Sequence, residues 1–363
     1  MASIKLKGDT SGELTIQAPS VAGTNTLNLP ASSGTLATTA QASIGMKNRI
    51  INGNMAIDQR NAGTSVTPTT TTFALDRWAC FLSQASKFSV QQNAGAITSP
   101  AGFINYLGAT SLSAYSVLSS DNFNFRQKIE GYNIADLNWG TANAKTVTIS
   151  FWVRSSLTGT FGGAIKNSAS TRSYPFNYTI SVANTWEQKT ITVAGDTTGT
   201  WLTTNGIGMQ LIFSLGTGAT YSGTAGAWAA TNYLSATGAV SVVGTNGATL
   251  YITGVQLEVG TTATDFENLQ YGQQLALCQR YYETNKDNAS AYYYSIRNDG
   301  ISRGLLQFVV PKRAAPTVTL SVAVGSGSFT NLASALASSI YNADFGHASN
   351  YSSFQKYEAS AEL

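Results

Sequence analysis

His347 is the only histidine in the chain and stands in FGHASN. Ser-His-Asp and Cys-His devices need an imidazole held by defined partners, and this Gly/Ser/Asn-rich stretch reads as a surface loop that offers none. One histidine and two distant cysteines, Cys80 and Cys278, fall short of the ligands of a structural zinc site. The thiols form no CxxC pair and no disulfide framework. Burial as free thiols is expected of them. A glycosidase needs two carboxyl groups about 5 to 10 Å apart, a separation that sequence spacing does not measure. Glu258, Asp265 and Glu267 gather in QLEVGTTATDFE. Turn capping is expected there, with a structural Ca²⁺ as the alternative, because hard cations take oxygen ligands. Their spacing matches no ion-binding loop, so neither a metal nor a cofactor is expected. Asp76, Arg77 and Trp78 in ALDRW read as a buried ion pair beside a core indole.

The stretch SLGTGATYSGTAGAW contains no GxxxxGK[ST] phosphate loop and reads as a long loop of a β-protein. Its neighbourhood carries Tyr221, Trp228 and Tyr233 among Gly, Ala, Thr and Asn. Flat rings stack on pyranose faces while Asn and Thr bond hydroxyls, so these three are the glycan-binding candidates. The competing expectation is that the rings anchor the loop on the core or on a neighbouring subunit.

Strands must position such a loop. KTVTISFWVRSS puts Val147, Ile149, Phe151 and Val153 on one face, a half-buried strand. FNYTISV aligns Phe176, Tyr178, Ile180 and Val182; IGMQLIFSLG aligns Ile207, Met209, Leu211, Phe213 and Leu215. Gly254 interrupts ATLYITGVQLEVG, which marks a bulge or a close backbone approach in a central strand. Charged residues make up 11% of the 363 and net charge is +3, against about 25% charged in ordinary domains. With 43% hydrophobic and 10% aromatic residues, the composition excludes disorder and lacks the basic field of a nucleic-acid binder. No signal-peptide core and no membrane-length apolar run is present; no nucleic acid and no membrane insertion are expected.

The first 40 residues carry short period-2 pieces, with Ile4 and Leu6, Leu14 and Ile16, and Leu27 and Leu29. Two or three such strands cannot bury their apolar faces alone, so these six residues are candidates for docking or inter-chain contact; a floppy terminal arm is the alternative. Near residue 270, Tyr271, Leu275, Cys278 and Tyr282 recur at helical spacing, widened by Leu277 and Tyr281. Beyond it, AYYYSI, an Asn298-Asp299-Gly300 turn signal, GLLQFVV, a basic KRAAP turn, TVTLSVAV and YEASAEL return to strand. The fold class is therefore mainly β: an antiparallel β-sandwich (jelly roll) with a short N-terminal β arm, one amphipathic helix and a small C-terminal antiparallel β domain. The expected division is 1–44, 45–268 and 269–363.

KNRIINGNMAIDQRNAGTSV, ALDRW, FRQKIEGYNIADL, VTISFWVRSS, TGVQLEVGTTATDFE and LCQRYYE, in this order, resemble the C-terminal half of many bacteriophage tail-fibre and virion-surface proteins. The opening GDTSGELTIQAPSVAGTNTLNLPASSGTL resembles an N-terminal module found on such proteins. The resemblance covers nearly the whole chain. It implies a jelly roll like carbohydrate-binding modules, a homotrimer, attachment to another virion protein through the N-terminal arm, and β domains that face host-surface polysaccharide. It carries over no fixed catalytic or sugar-binding motif. The chain has no long coiled-coil or β-helical shaft. The expectation is thus a non-enzymatic virion-surface protein assembled in the host cytoplasm, a short trimeric tail fibre. A capsid head fibre or decoration protein is the alternative, and a polysaccharide depolymerase the lesser one.

Overall fold

Val147, Ile149, Phe151 and Val153 are all fully buried, and they lie on an interior strand of a five-stranded sheet. The computed structural model describes residues 3–7, 11–17, 46–285, 295–296, 301–324, 327–332, 339–347 and 354–363. The chain divides into two compact units, Met1–Ser43 and Ile44–Leu363. In the first, β1 (Ser3–Lys7) and β2 (Glu13–Gln17) form an antiparallel hairpin that sets Ile4 opposite Ile16 and Leu6 opposite Leu14. Leu27 and Leu29 lie outside the described residues.

The second unit begins with the sandwich. Its strands are β3 (Thr72–Leu75), β4 (Trp78–Leu82), β5 (Phe88–Gln92), β6 (Leu107–Ser111), β7 (Asn122–Glu130), β8 (Val147–Ser155), β9 (Gly159–Lys166), β10 (Ser173–Ile180), β11 (Glu187–Val193) and β12 (Ile207–Thr217). Two short strands follow, β13 (Ser222–Gly223) and β14 (Ser235–Ala236), then the long β15 (Thr249–Val259). One sheet runs β10-β9-β12-β7-β4-β3 and the other β11-β8-β15-β6-β5. Their facing side chains make one core: Phe151 of the second sheet meets Tyr178 and Phe213 of the first, edge to face, at 5.0 and 4.9 Å between ring centres. Period-2 alternation produces this layer because only every second side chain points between the sheets.

Two of the strand expectations need adjusting and a third holds. β8 is not half-buried along its length: Thr148 and Ser150 on its other face are also covered, and the Thr148 hydroxyl donates to the Gly260 carbonyl at 2.8 Å. Val182 lies beyond the end of β10 and is exposed. Gly254 does both things its position suggested. The β15–β8 register shifts between Thr253 and Gln256, φ is +60°, and a Cβ there would lie 2.5 Å from the Phe103 ring.

The helix α1 (Tyr271–Gln279) is shorter than its periodicity predicts. Tyr271 is 65% exposed and Leu277 39%. Tyr282 has left the helix for strand β16 (Tyr282–Thr284). The face that buries is Gln274–Cys278, with Gln274 donating to Asn54 Oδ1 at 3.1 Å. An i, i+11 match needs three turns of helix, and this helix has two and a half.

The remaining strands are β17 (Ser295–Ile296), β18 (Ile301–Gln307), β19 (Thr317–Val324), β20 (Gly327–Leu332), β21 (Ser339–His347) and β22 (Phe354–Ser360). They form antiparallel sheets ordered β16-β22-β19 and β17-β18-β21-β20. His347 closes β21 opposite Gly327 rather than lying in a loop. In the KRAAP turn, Lys312 is buried and donates to Glu283 at 2.6 Å. Tyr292, Tyr294 and the Asn298-Asp299-Gly300 turn fall outside the described residues.

Candidate functional site: the polar face of the six-stranded sheet

In β7, Phe123, Phe125 and Ile129 enter the core, so Asn122, Asn124, Arg126 and Lys128 take the opposite face. The neighbouring strands continue this face in register. Arg126 stands opposite Ile212 of β12, and Lys128 opposite Gln210. Gln210 is flanked on its other side by Lys166 of β9. Lys128 and Lys166 are therefore two strand spacings apart, about 10 Å between backbones. Arg126 donates through Nε to Asn124 Oδ1 at 2.9 Å and through Nη1 to Gln210 Oε1 at 3.2 Å. Its guanidinium lies 4.2 Å from the centre of the half-buried Phe81 ring. Lys166 Nζ donates to Ser170 Oγ at 2.8 Å and Asn232 Oδ1 at 2.6 Å. Lys128 donates to the Leu363 carbonyl. Burial pushes Arg126 down to about 10. Burial, then repulsion from Arg126 and Lys128, pushes Lys166 down to about 8.

The loop between β12 and β15 walls this face. β13 and β14 pair in parallel within it. β14 rests against β9 at Gly162, where a Cβ would lie 2.3 Å from Ser235 Oγ, so only glycine admits the loop. Ser173 on the edge strand donates to the Thr231 carbonyl and accepts from the Tyr233 N–H.

The three aromatic candidates have different places in this wall. The Trp228 ring packs edge to face on Trp139, Trp201 and Tyr174 at 5.3, 5.6 and 5.2 Å, and its Nε1–H donates to the Ala194 carbonyl at 2.8 Å. It fastens the loop to the sandwich. The Tyr233 ring covers Gly223, and Tyr221 accepts the Leu234 N–H at its carbonyl; both side chains are half-buried. Asn232, beside Tyr233, is the loop's contact with the cationic face. Sequence reasoning missed Arg126, Lys128, Lys166, Gln210 and Asn232. The alternation in NFNFRQKI signals a polar face on β7, but nothing in the sequence says which strands lie beside it.

Of the carboxylates near residue 260, Glu258 and Glu267 accept backbone N–H groups, while Asp265 is contacted at its main-chain carbonyl by Lys47 and Gln256. Glu258 accepts from Gln256 Nε2 and from the Thr264 N–H and hydroxyl, and Glu267 accepts from the Asn48 N–H. Among the described residues no group of three or more His, Cys, Asp or Glu could hold a metal ion. Cys80 and Cys278 are free and buried, and burial pushes both thiols up.

The motifs that carry the fibre resemblance form the joint between sandwich, helix and C-terminal strands. Asn48 joins Val255 and Leu257, and the Gln127 side chain exchanges two hydrogen bonds with the Ile51 backbone. Arg280 grips Glu130 through two nitrogens, and the Tyr281 hydroxyl donates to the same carboxylate at 2.6 Å. Asp76 and Arg77 do not pair with each other. Asp76 accepts from the Gln59 N–H and side chain, whereas Arg77 pairs with Glu362 and lies 3.6 Å over the Tyr281 ring. Arg77 has φ +70°, which turns its side chain toward the C-terminus of the chain. Burial pushes Asp76 up to about 6, against the pull of Arg60 and Gln59.

No protein-family model matches the chain, nor does any curated protein sequence. Solved structures to which the chain is similar include the enzymatically active domain of tailspike protein 4 of bacteriophage CBA120, at 11% identity and TM-score 0.29, covering 59% of this chain and 21% of that one. An arabinose-bound α-L-arabinofuranosidase is similar at 13% identity and TM-score 0.35, covering 66% and 31%. A family 11 carbohydrate-binding module from Clostridium thermocellum, in complex with a β-1,3-1,4-mixed-linked tetrasaccharide, is similar at 10% identity and TM-score 0.27, covering 54% and 97%. The chain thus spans about a fifth of the tailspike domain's length and about a third of the arabinofuranosidase's. At these similarities no role is transferred from any of the three.

Proposed function

We propose that this chain is a binding and structural protein of a phage surface fibre, which attaches through its N-terminal hairpin unit and adsorbs to glycan through the polar face of the sandwich. The observation that carries the glycan reading is the row of Asn124, Arg126, Gln210 and Lys166, beside Phe81 and walled by the loop of Tyr221 and Tyr233. Amide, guanidinium and ammonium groups bond sugar hydroxyls, and half-exposed rings offer faces for stacking. The sequence resemblance supports the virion setting and the homotrimer. The hairpin supports it too, because two strands alone are marginal in water and gain stability against a partner.

Titration of the full chain with host-surface glycan fractions tests the reading. Binding that is lost in Arg126→Gln, with the unfolding midpoint retained, is the expected result. Retention of binding in that variant would move the site elsewhere. Release of new reducing ends from capsule or lipopolysaccharide would replace adsorption by depolymerisation.

A further inference from the structure

Five cations are buried among the described residues: Arg49, Arg77, Arg126, Lys166 and Lys312. Three of them meet a carboxylate. Arg49 pairs with Asp136 at 2.8 Å, Arg77 with Glu362, and Lys312 with Glu283 at 2.6 Å. Arg126 and Lys166 have no ion pair among the described residues; amides, a hydroxyl and an aromatic ring are their partners. Both stand on the same sheet face, on strands separated by β12 alone. Resting on the glycan-binding reading above, we propose that the glycan on this face is anionic, its carboxylate or phosphate groups supplying the counter-charge that Arg126 and Lys166 lack.

The rest of the face fits that ligand. Lys128, half-buried, adds a third cation at its margin. Glu362, the acid whose field reaches it, is already committed to Arg60 and Arg77, and Lys128 itself donates to the Leu363 main-chain oxygen. Between them Ile212 and Ala164, fully covered, add no charge or acceptor of their own. A buried cation held only by neutral dipoles keeps most of its attraction for an anion, because little water screens it. Lys166, at about 8 in the free protein, is mostly charged at pH 7 and loses its charge at pH 9. Nucleic acid fits less well: the chain's net charge is only +3.

The test is calorimetric titration of the full chain with an oligogalacturonate, its carboxyl-reduced counterpart, a phosphorylated mannan and single-stranded DNA. The acidic glycan is expected to bind at least about tenfold tighter than the reduced one, more weakly at 300 mM than at 50 mM salt, and more weakly at pH 9 than at pH 7. Lys166→Met should abolish that preference and Lys166→Arg should keep it and remove the pH dependence, both melting near the wild-type temperature. If Lys166→Met does not fold, Arg126→Gln reads the same preference. The uronate and mannan arms separate carboxylate from phosphate. Equal binding of acidic and reduced forms would overturn the anionic class and leave glycan binding standing. Binding of none of the glycans would overturn both, as would binding of DNA alone.

Discussion

Asp76 shows how one residue can report on the joint between sandwich and C-terminal strands. Its pKa is raised in the folded state, from 3.8 to about 6, chiefly by burial. The native chain therefore binds the proton more tightly than the unfolded chain. By linkage, this group's cost to stability is absent below about pH 4, grows as pH rises through its folded pKa, and is complete above it. Two pKa units correspond to roughly 3 kcal/mol. The stability of the wild type relative to Asp76→Asn should thus fall between pH 4 and pH 7, read from urea midpoints at each pH; an unchanged difference would refute the assignment. At Trp228 the prediction is mechanical. Trp228→Ala removes contacts to three rings and one hydrogen bond, and the loss should be about 3 kcal/mol, measured by chemical denaturation.

Gly254 is the position where an element's shape rests on one residue. Ala there would take a strained positive φ and push on the Phe103 ring, which should cost about 2 kcal/mol or more and lower the thermal midpoint. Helix α1 illustrates how far periodicity reaches. The pattern Tyr271, Leu275, Cys278, Tyr282 located it, but the face that buries is offset, because Arg280 and Tyr281 turn back to hold Glu130. Polar Gln274 is inside and apolar Leu277 is outside. The helix thus obeys its neighbours more than its own moment. The strands were more legible: β8, β10 and β12 bury the alternate residues that their period-2 patterns picked out, up to the ends of the strands.

At the scale of the molecule, Glu362 ties the C-terminal strands to the sandwich. Glu362 pairs with Arg60 at 2.9 Å and with Arg77, and both its partners come from the first part of the sandwich. Glu362→Gln leaves Arg77 buried without a counter-charge and should cost about 3 kcal/mol, visible as a lower unfolding midpoint. The proposed homotrimer belongs to this scale as well. Sedimentation equilibrium of the full chain at micromolar concentration should return three times the 38.2 kDa chain mass; a monomer would remove the fibre arrangement.

Sequence alone determined the β class, the strand faces, the place of the helix, the burial of both thiols and the bulge at Gly254. Each of these follows from side chains within a few residues of one another, whose spacing decides which surface must leave water. The candidate site was not legible in that way. Arg126, Gln210 and Lys166 lie on three strands that are adjacent only through pairing across some 80 residues of chain, and Asn232 reaches them from a loop. Asp76 and Arg77 adjoin in sequence yet face different partners, because a positive φ separates their side chains. Charge placement depends on which strands meet, and only the packed sheet decides that two buried cations share one face without an acid between them.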